Sequence, residues 1–286
     1  MNNNSQLQVT TEACFSLGNA AFSLDKGGEN KALYFFAKTW FGVATLGLFI
    51  FSYYLLAFYG VTGVAGDFEK WNGMASHGYI EGDLANNVAF ALHALLAVIV
   101  LIGGPLQLIP RIREKVPVFH RWNGRVYLIT MLIIITAGLY SNWSNDTHSE
   151  INRIGVSING LIIFAFAYMA FKHAIGRNFS QHRKWAMRLF VASCGVWFFR
   201  IGLMFWIVIH QKPVGFDPET FTGPFLSFLV FAQFLIPLAI LEGYFRAQET
   251  QNKLLTGVMT FTLGVSFLIT AIGIFAASAI MWLPRI

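Results

Sequence analysis

The sequence is short of charge, of cysteine and of every motif that marks soluble catalysis. Only 12% of its 286 residues are charged, while 56% are hydrophobic. A soluble domain carries about a quarter charged residues, so a soluble globular fold of this length is excluded. The two cysteines are Cys14, in a polar N-terminal stretch, and Cys194, inside an apolar run. They belong to different environments and neither has metal-ligand spacing, which excludes a disulfide framework and a zinc ribbon. No phosphate-binding glycine loop, HExxH, CxxC or nucleophile elbow occurs. The opening "MNNNSQLQVT" has no basic start leading into a short apolar core, so no cleavable signal peptide is expected.

What the sequence does have is apolar residues in long blocks, with a mean hydropathy of +0.57. A spanning helix takes about 20 mostly apolar residues. Blocks of that size fall at about 37–60, 87–110, 124–144, 154–176, 188–210, 224–246 and 257–282. Irregular backbone is not tolerated against lipid. The fold expected is therefore all-α: a polytopic transmembrane helix bundle of about seven spans. It would form one domain over about 37–286, after a polar tail over about 1–36.

The formal charge of +6 is not spread evenly. Arg111, Arg113, Lys115, Arg121 and Arg125 crowd the second connection, and Lys172, Arg177, Arg183, Lys184 and Arg188 the fourth. Arg246 and Lys253 mark the sixth, and Lys26, Lys31 and Lys38 precede or begin the first span. Acids such as Asp67, Glu81, Glu150 and Glu219 gather in the alternate connections. Lys and Arg accumulate on the cytoplasmic side. This predicts an N-terminus inside and a C-terminus outside, in a cytoplasmic membrane. The basic excess then reports topology and contact with the lipid bilayer rather than a nucleic-acid surface.

Polar groups inside spans are costly and face the bundle interior. Arg200 lies about 12 residues into the fifth span with no acid at its depth. Glu242, the one acid within a span, sits near the inner end of the sixth, too far along the axis for a direct pair. Backbone carbonyls, Asn159, Gln233 or water could satisfy Arg200, and so could an anionic or carbonyl-bearing ligand. His93 shares a narrow face with Ala97, Gly104 and Gln107, open to a helix or a flat ligand, and Pro105 predicts a kink. Asn159 and His173 lie nearly on one face of the fourth span, with helix packing the simpler reading of Asn159. An unbroken fifth span would align His182 with Arg200 five turns later.

Two stretches share a form. "VFHRWNGRVY" begins at Val118 and "SQHRKWAMRLF" at Ser180, each placing a histidine, arginines and a tryptophan before an apolar run. Snorkelling and interfacial anchoring account for Arg121, Trp122, Arg125, Arg183, Trp185 and Arg188. They do not account for His120 and His182. Two imidazoles at one depth could ligate a haem iron, with Arg125 and Arg188 beside the propionates. They could instead bind a transition metal, helped by His173 or Glu242, or simply be hydrogen-bonded.

These stretches, with "HALLAVIVLIGGPLQLIP", resemble a widespread, mainly bacterial family of multi-pass membrane proteins defined only as a domain of unknown function. The resemblance runs over a core of about 87–246. It rests on His93, Gly104, Pro105 and Gln107; on His120, Arg121, Gly124, Arg125 and Tyr127; on His182, Arg183, Trp185, Arg188 and Arg200; and on Glu242. It implies a fold and no activity. A looser likeness, by architecture, is to the di-haem transmembrane cytochromes b that oxidise ascorbate. It implies haem b on His120 and His182, with His93 at an outer site where His210, His148 or His77 would substitute for a missing partner.

Four functions compete. The first is a haem-b redox protein exchanging electrons with quinone or another small carrier. The second is a transporter or anion-binding protein centred on Arg200, with Gln233, Asn159 and His93 lining the pocket and Pro105 and Pro237 as hinges. The third is a metal hydrolase with His, His and Glu ligands. The fourth is an assembly partner of a respiratory complex.

Overall fold

A computed structural model describes residues 28–73, 78–144 and 149–286. Cys14, His77 and His148 lie outside the described residues, as does most of the polar tail. The described residues are 87% helical. The first helix, α1 (Gly28–Leu55), starts earlier than the hydropathy implies, and it runs on through a π-helical turn, Leu56–Gly60, into Val61–Ala65. Then come α2 (Leu84–Leu108), the short α3 (Pro110–Lys115), α4 (Pro117–Ser144) and α5 (Glu150–Ile175). The chain continues through α6 (Phe179–Ser193), α7 (Gly195–His210), α8 (Pro224–Glu249) and α9 (Lys253–Ala276). A second π-helical turn, Ala277–Trp282, prolongs α9.

Among the described residues six helices are long and apolar enough to cross a membrane, and α6 with α7, bent by 52° relative to each other, brings the number to seven when the pair is counted as one span. The bend follows from "SCG" at Ser193–Gly195. Sharp kinks arise at Gly/Ser pairs, and the Ser193 hydroxyl donates back to the Phe190 carbonyl at 2.8 Å, a bond that bends helices. The aligned face expected to join His182 to Arg200 is therefore absent, because the break at Cys194 redirects the second half. Pro105 behaves differently from the other breaker: α2 continues through it, and its ring is fully buried.

Lipid tails are as apolar as leucine, so helices in a bilayer associate through close packing and hydrogen bonds. Small residues mark the contacts. A Cβ on Gly104 would lie 2.8 Å from the Phe190 ring, and one on Gly273 would lie 2.5 Å from the Ile201 carbonyl oxygen. The main packed pairs are α2 with α4, α5 with α6, and α9 with both α1 and α7. One large apolar cluster joins α1, α2, α6, α7, α8 and α9, and a smaller one lies between α2, α4, α5 and α6. Outward positions such as Phe261 and Phe275 are about three-quarters exposed, as lipid-facing side chains should be.

Candidate functional site

The "HRWNG" stretch forms the first turns of α4, so His120 lies within a helix rather than before it. Its neighbours dock α4 onto α2. The Asn123 amide donates to the Gly103 carbonyl at 3.0 Å, and Gln107 donates to the His120 carbonyl at 2.9 Å. Gln107 is thereby committed to holding two helices together. One turn on, the Tyr127 hydroxyl meets Ser193 at 2.9 Å, tying α4 to α6 at the bend.

His182 occupies the first turn of α6. Its Nδ1 donates to the Ala170 carbonyl at 2.8 Å. A carbonyl only accepts, so Nδ1 carries a proton, and in the neutral ring Nε2 carries the lone pair. His120 is its electrostatic neighbour, also reached by the charges of Arg113 and Arg121. The His120 Nδ1 is buried without a hydrogen-bond partner. His173 is half-buried at the last turn of α5. Among the described residues no three His, Cys, Asp or Glu side chains come together as a metal site, so the structure does not gather His173 or Glu242 with the histidine pair.

The two arginines expected beside propionates have separate surroundings. Arg125 is exposed and stacks over Trp122 at 5.1 Å, an arrangement suited to interfacial anchoring. Arg188 holds Glu242 in a bidentate pair, Nε to Oε1 at 2.5 Å and the terminal nitrogen to Oε2 at 2.8 Å. Its guanidinium also lies over Trp185 at 4.5 Å and Phe245 at 5.2 Å. Lys184 pairs with Glu249 beside it. From the sequence Glu242 was weighed as a partner of Arg200 and as a metal ligand, and its pairing with Arg188 was missed. The signal was present: both residues sit near the basic ends of neighbouring spans.

Deeper in the bundle, Asn159 donates to the Ala192 carbonyl at 3.4 Å, just before the break. A Cβ on Gly195 would lie 2.9 Å from the Asn159 amide nitrogen and 3.6 Å from the Gln233 oxygen. Asn159 and Gln233 therefore flank the bend, and Gln233 donates to the Val230 carbonyl of its own helix at 2.8 Å. Packing at a helix break is the role these contacts describe. His93 crosses from α2 to α4, its Nδ1 donating to the Ile134 carbonyl at 3.1 Å with the ring against Gly138. In the neutral ring its Nε2 likewise carries the lone pair. His210 donates to the Trp206 carbonyl at 2.9 Å, its ring tilted against the Trp206 indole at 4.0 Å, within its own helix.

Arg200 is half-buried on α7. Its guanidinium makes one long hydrogen bond, 3.3 Å to the Val196 carbonyl of its own helix, and lies 5.4 Å over the Phe51 ring. Among the described residues no carboxylate pairs with it; the acid nearest in sequence reasoning, Glu242, is taken by Arg188. The Arg200 charge reaches His93 and the buried Tyr54 and Tyr59. Beside it the Tyr54 hydroxyl is paired with Tyr59, and the ring of Trp282, packed on Phe51 and Tyr54, has its indole nitrogen buried without a hydrogen-bond partner. None of these α1 and α9 residues was singled out from the sequence. Aromatic residues in an apolar span look like ordinary core until the helices are assembled.

Over residues 90–236, from α2 into α8, the sequence matches the model of a family described as Predicted membrane protein (DUF2306). That stretch contains His93, His120, His182 and Arg200 but neither α1 nor α9. No curated protein and no solved structure matches the chain.

Proposed function

We propose, for a chain that belongs to the DUF2306 family of membrane proteins of unknown function, that it binds an anionic or carbonyl-bearing small molecule within its helix bundle. Arg200 is the recognising group. The observation that supports this is the guanidinium itself, with five donors, one 3.3 Å bond and no carboxylate partner among the described residues. An ion withdrawn from water without a partner costs several kcal/mol, and a bound acceptor would remove that cost. His93, with its Nε2 lone pair and within reach of the Arg200 charge, could accept a proton or hydrogen bond from the same molecule. The basic helix ends face the cytoplasm in this reading.

The test is thermal unfolding in detergent against a panel of small carboxylates, inorganic phosphate and a short-chain quinone. At least one should raise the midpoint of the native protein, and Arg200→Gln should abolish that rise while leaving the ligand-free midpoint within a few degrees. If no compound stabilises in an Arg200-dependent way, the reading fails.

A second reading has its own support. His182, oriented by Ala170 and with Nε2 open, has the arrangement of a metal-bound histidine. The electrostatically adjacent His120, with Nδ1 unpartnered, could be the second ligand. Haem b held there would supply one-electron chemistry, with Arg113 and Arg121 close to its propionates and quinone exchange at Arg200. Protein purified from cells supplied with haem should then show a sharp α band in the reduced-minus-oxidised spectrum, lost in His182→Ala. A flat spectrum would rule out haem and leave the Arg200 reading intact.

A further inference from the structure

Three helices bring cations together at the basic end of the bundle. Arg113 lies in the last turn of α3, which packs on α4. Arg113, Arg121 and His182 all act electrostatically on His120. Arg113 also acts on Arg183, the neighbour of His182. Hydrogen bonds fix this meeting place. Gln107, at the end of α2, holds the His120 carbonyl at 2.9 Å, and His182 is held on the Ala170 carbonyl at 2.8 Å. Both histidines are half-buried rather than sealed inside.

The acids of α8 at this end are engaged elsewhere, Glu242 by Arg188 and Glu249 by Lys184. Glu114 comes only to 3.9 Å from Arg113, and its side chain is about half exposed. An anion at this point relieves the repulsion among the cations, and arginine forks match phosphate oxygens in bidentate fashion. Basic pockets between spans bind anionic lipid head groups. The surroundings favour a phosphate carried on a lipid over a free one. Phe119 and Trp122, close to His120 in the chain, are exposed, and so are Ile175 and Phe179 before His182. Exposed apolar side chains at the ends of spanning helices face the lipid interface.

The histidine adds a selection that lipid anchoring does not need. In the neutral ring His182 offers its Nε2 lone pair, because Nδ1 donates to Ala170. That lone pair needs a donor. The phosphate oxygens of a phosphodiester only accept. A phosphomonoester has a second pKa of about 6, so near neutrality it still carries a P–OH part of the time. Its hydroxyl donates to Nε2 while its charged oxygens take the arginines.

We infer that the basic end of the bundle binds a lipid-borne phosphomonoester, its phosphate held between α3, α4 and α6 by Arg113, Arg121 and His182. This site is separate from Arg200 and does not rest on the Arg200 reading. It uses the same histidines as the haem reading and is an alternative to it.

The experiment measures equilibrium binding of fluorescently labelled dioctanoyl phosphatidic acid to the full-length protein in detergent. The competitors are unlabelled dioctanoyl phosphatidic acid, the diester dioctanoyl phosphatidylmethanol and inorganic phosphate. The expected result is saturable binding in which the diester competes at least tenfold less well than the unlabelled monoester, and inorganic phosphate at least 100-fold less well. Arg113→Gln should weaken binding about tenfold. His182→Phe should weaken it similarly and shrink the preference for monoester over diester to less than threefold. Arg125→Gln, on the same surface but outside the site, and Arg200→Gln should each change binding less than twofold. Unfolding midpoints identify any variant that fails to fold, and Arg113→Gln, whose side chain is 40% exposed, decides if His182→Phe does. Equal competition by the diester overturns the inference, and so does an Arg125→Gln loss as large as that of Arg113→Gln, which means diffuse surface charge. Equal competition by inorganic phosphate keeps the phosphate site and overturns its lipid source. A haem α band lost in His182→Ala overturns the inference as well, since one Nε2 cannot serve both.

Discussion

Replacing Glu242 by alanine should cost about 2–3 kcal/mol of stability, one of the largest losses available from a single side chain here. Arg188 has only 16% of its side chain exposed and is held by both Glu242 oxygens, whereas Glu242 itself is 42% exposed. Breaking a fully buried pair costs about 3–5 kcal/mol, because one charge is left behind without compensation. The exposure of Glu242 reduces that figure. After the substitution Arg188 keeps the Trp185 and Phe245 rings but loses its anion, and of the two ion pairs from α6 to α8 only Lys184–Glu249 remains. Thermal unfolding in detergent should show a lower midpoint for Glu242→Ala and for Arg188→Met. The double variant should be less harmed than the two losses added. A coupling near zero would mean that the pair behaves as an exposed surface ion pair, which is worth about 0–1 kcal/mol.

Gly273→Ala should do comparable damage for a different reason. Its Cβ would stand 2.5 Å from the Ile201 carbonyl oxygen and 3.0 Å from the Ile201 Cβ. A backbone oxygen cannot rotate away, so α7 and α9 must separate. Overpacking of this kind costs about 1–3 kcal/mol, and a backbone collision belongs at the upper end. Ile201 follows Arg200 directly, so the same displacement should weaken any Arg200-dependent ligand as well. The control is Gly257→Ala on the same helix, where a Cβ meets nothing within 4 Å. That change should be neutral or slightly stabilising, since alanine is favoured over glycine in a helix by about 1 kcal/mol. Equal midpoints for the two variants would show that α7 and α9 are not in the contact described.

Both predictions concern partners that the linear sequence does not identify. Hydropathy located each span and the bent fifth one, and the polar thresholds at His120 and His182 were visible as motifs. The family resemblance, carried by His93, the two threshold motifs and Arg200, agrees with the match over residues 90–236. The limits of some helices were less clear. Helices α1 and α6 extend past their apolar runs, because at a membrane surface polar residues can continue a helix that hydropathy has already ended. The bend at Cys194 was also missed: "SCG" sits inside an otherwise uniform apolar block, and a hydropathy window averages over it.

What the sequence determined by itself was the set of spanning helices, the charge at their ends and the presence of an arginine deep in the fifth span. These are local properties, fixed by the transfer of each segment from water to lipid. What only the tertiary structure decided was who meets whom. It gave Glu242 to Arg188 and set Asn159 and Gln233 at a helix break. It also surrounded Arg200 with α1 and α9 aromatics that no motif had marked. Partnership depends on the rotation and crossing of each helix. In a bilayer those are set by sub-ångström packing at positions such as Gly104, Gly138 and Gly273 rather than by any hydrophobic preference readable along the chain.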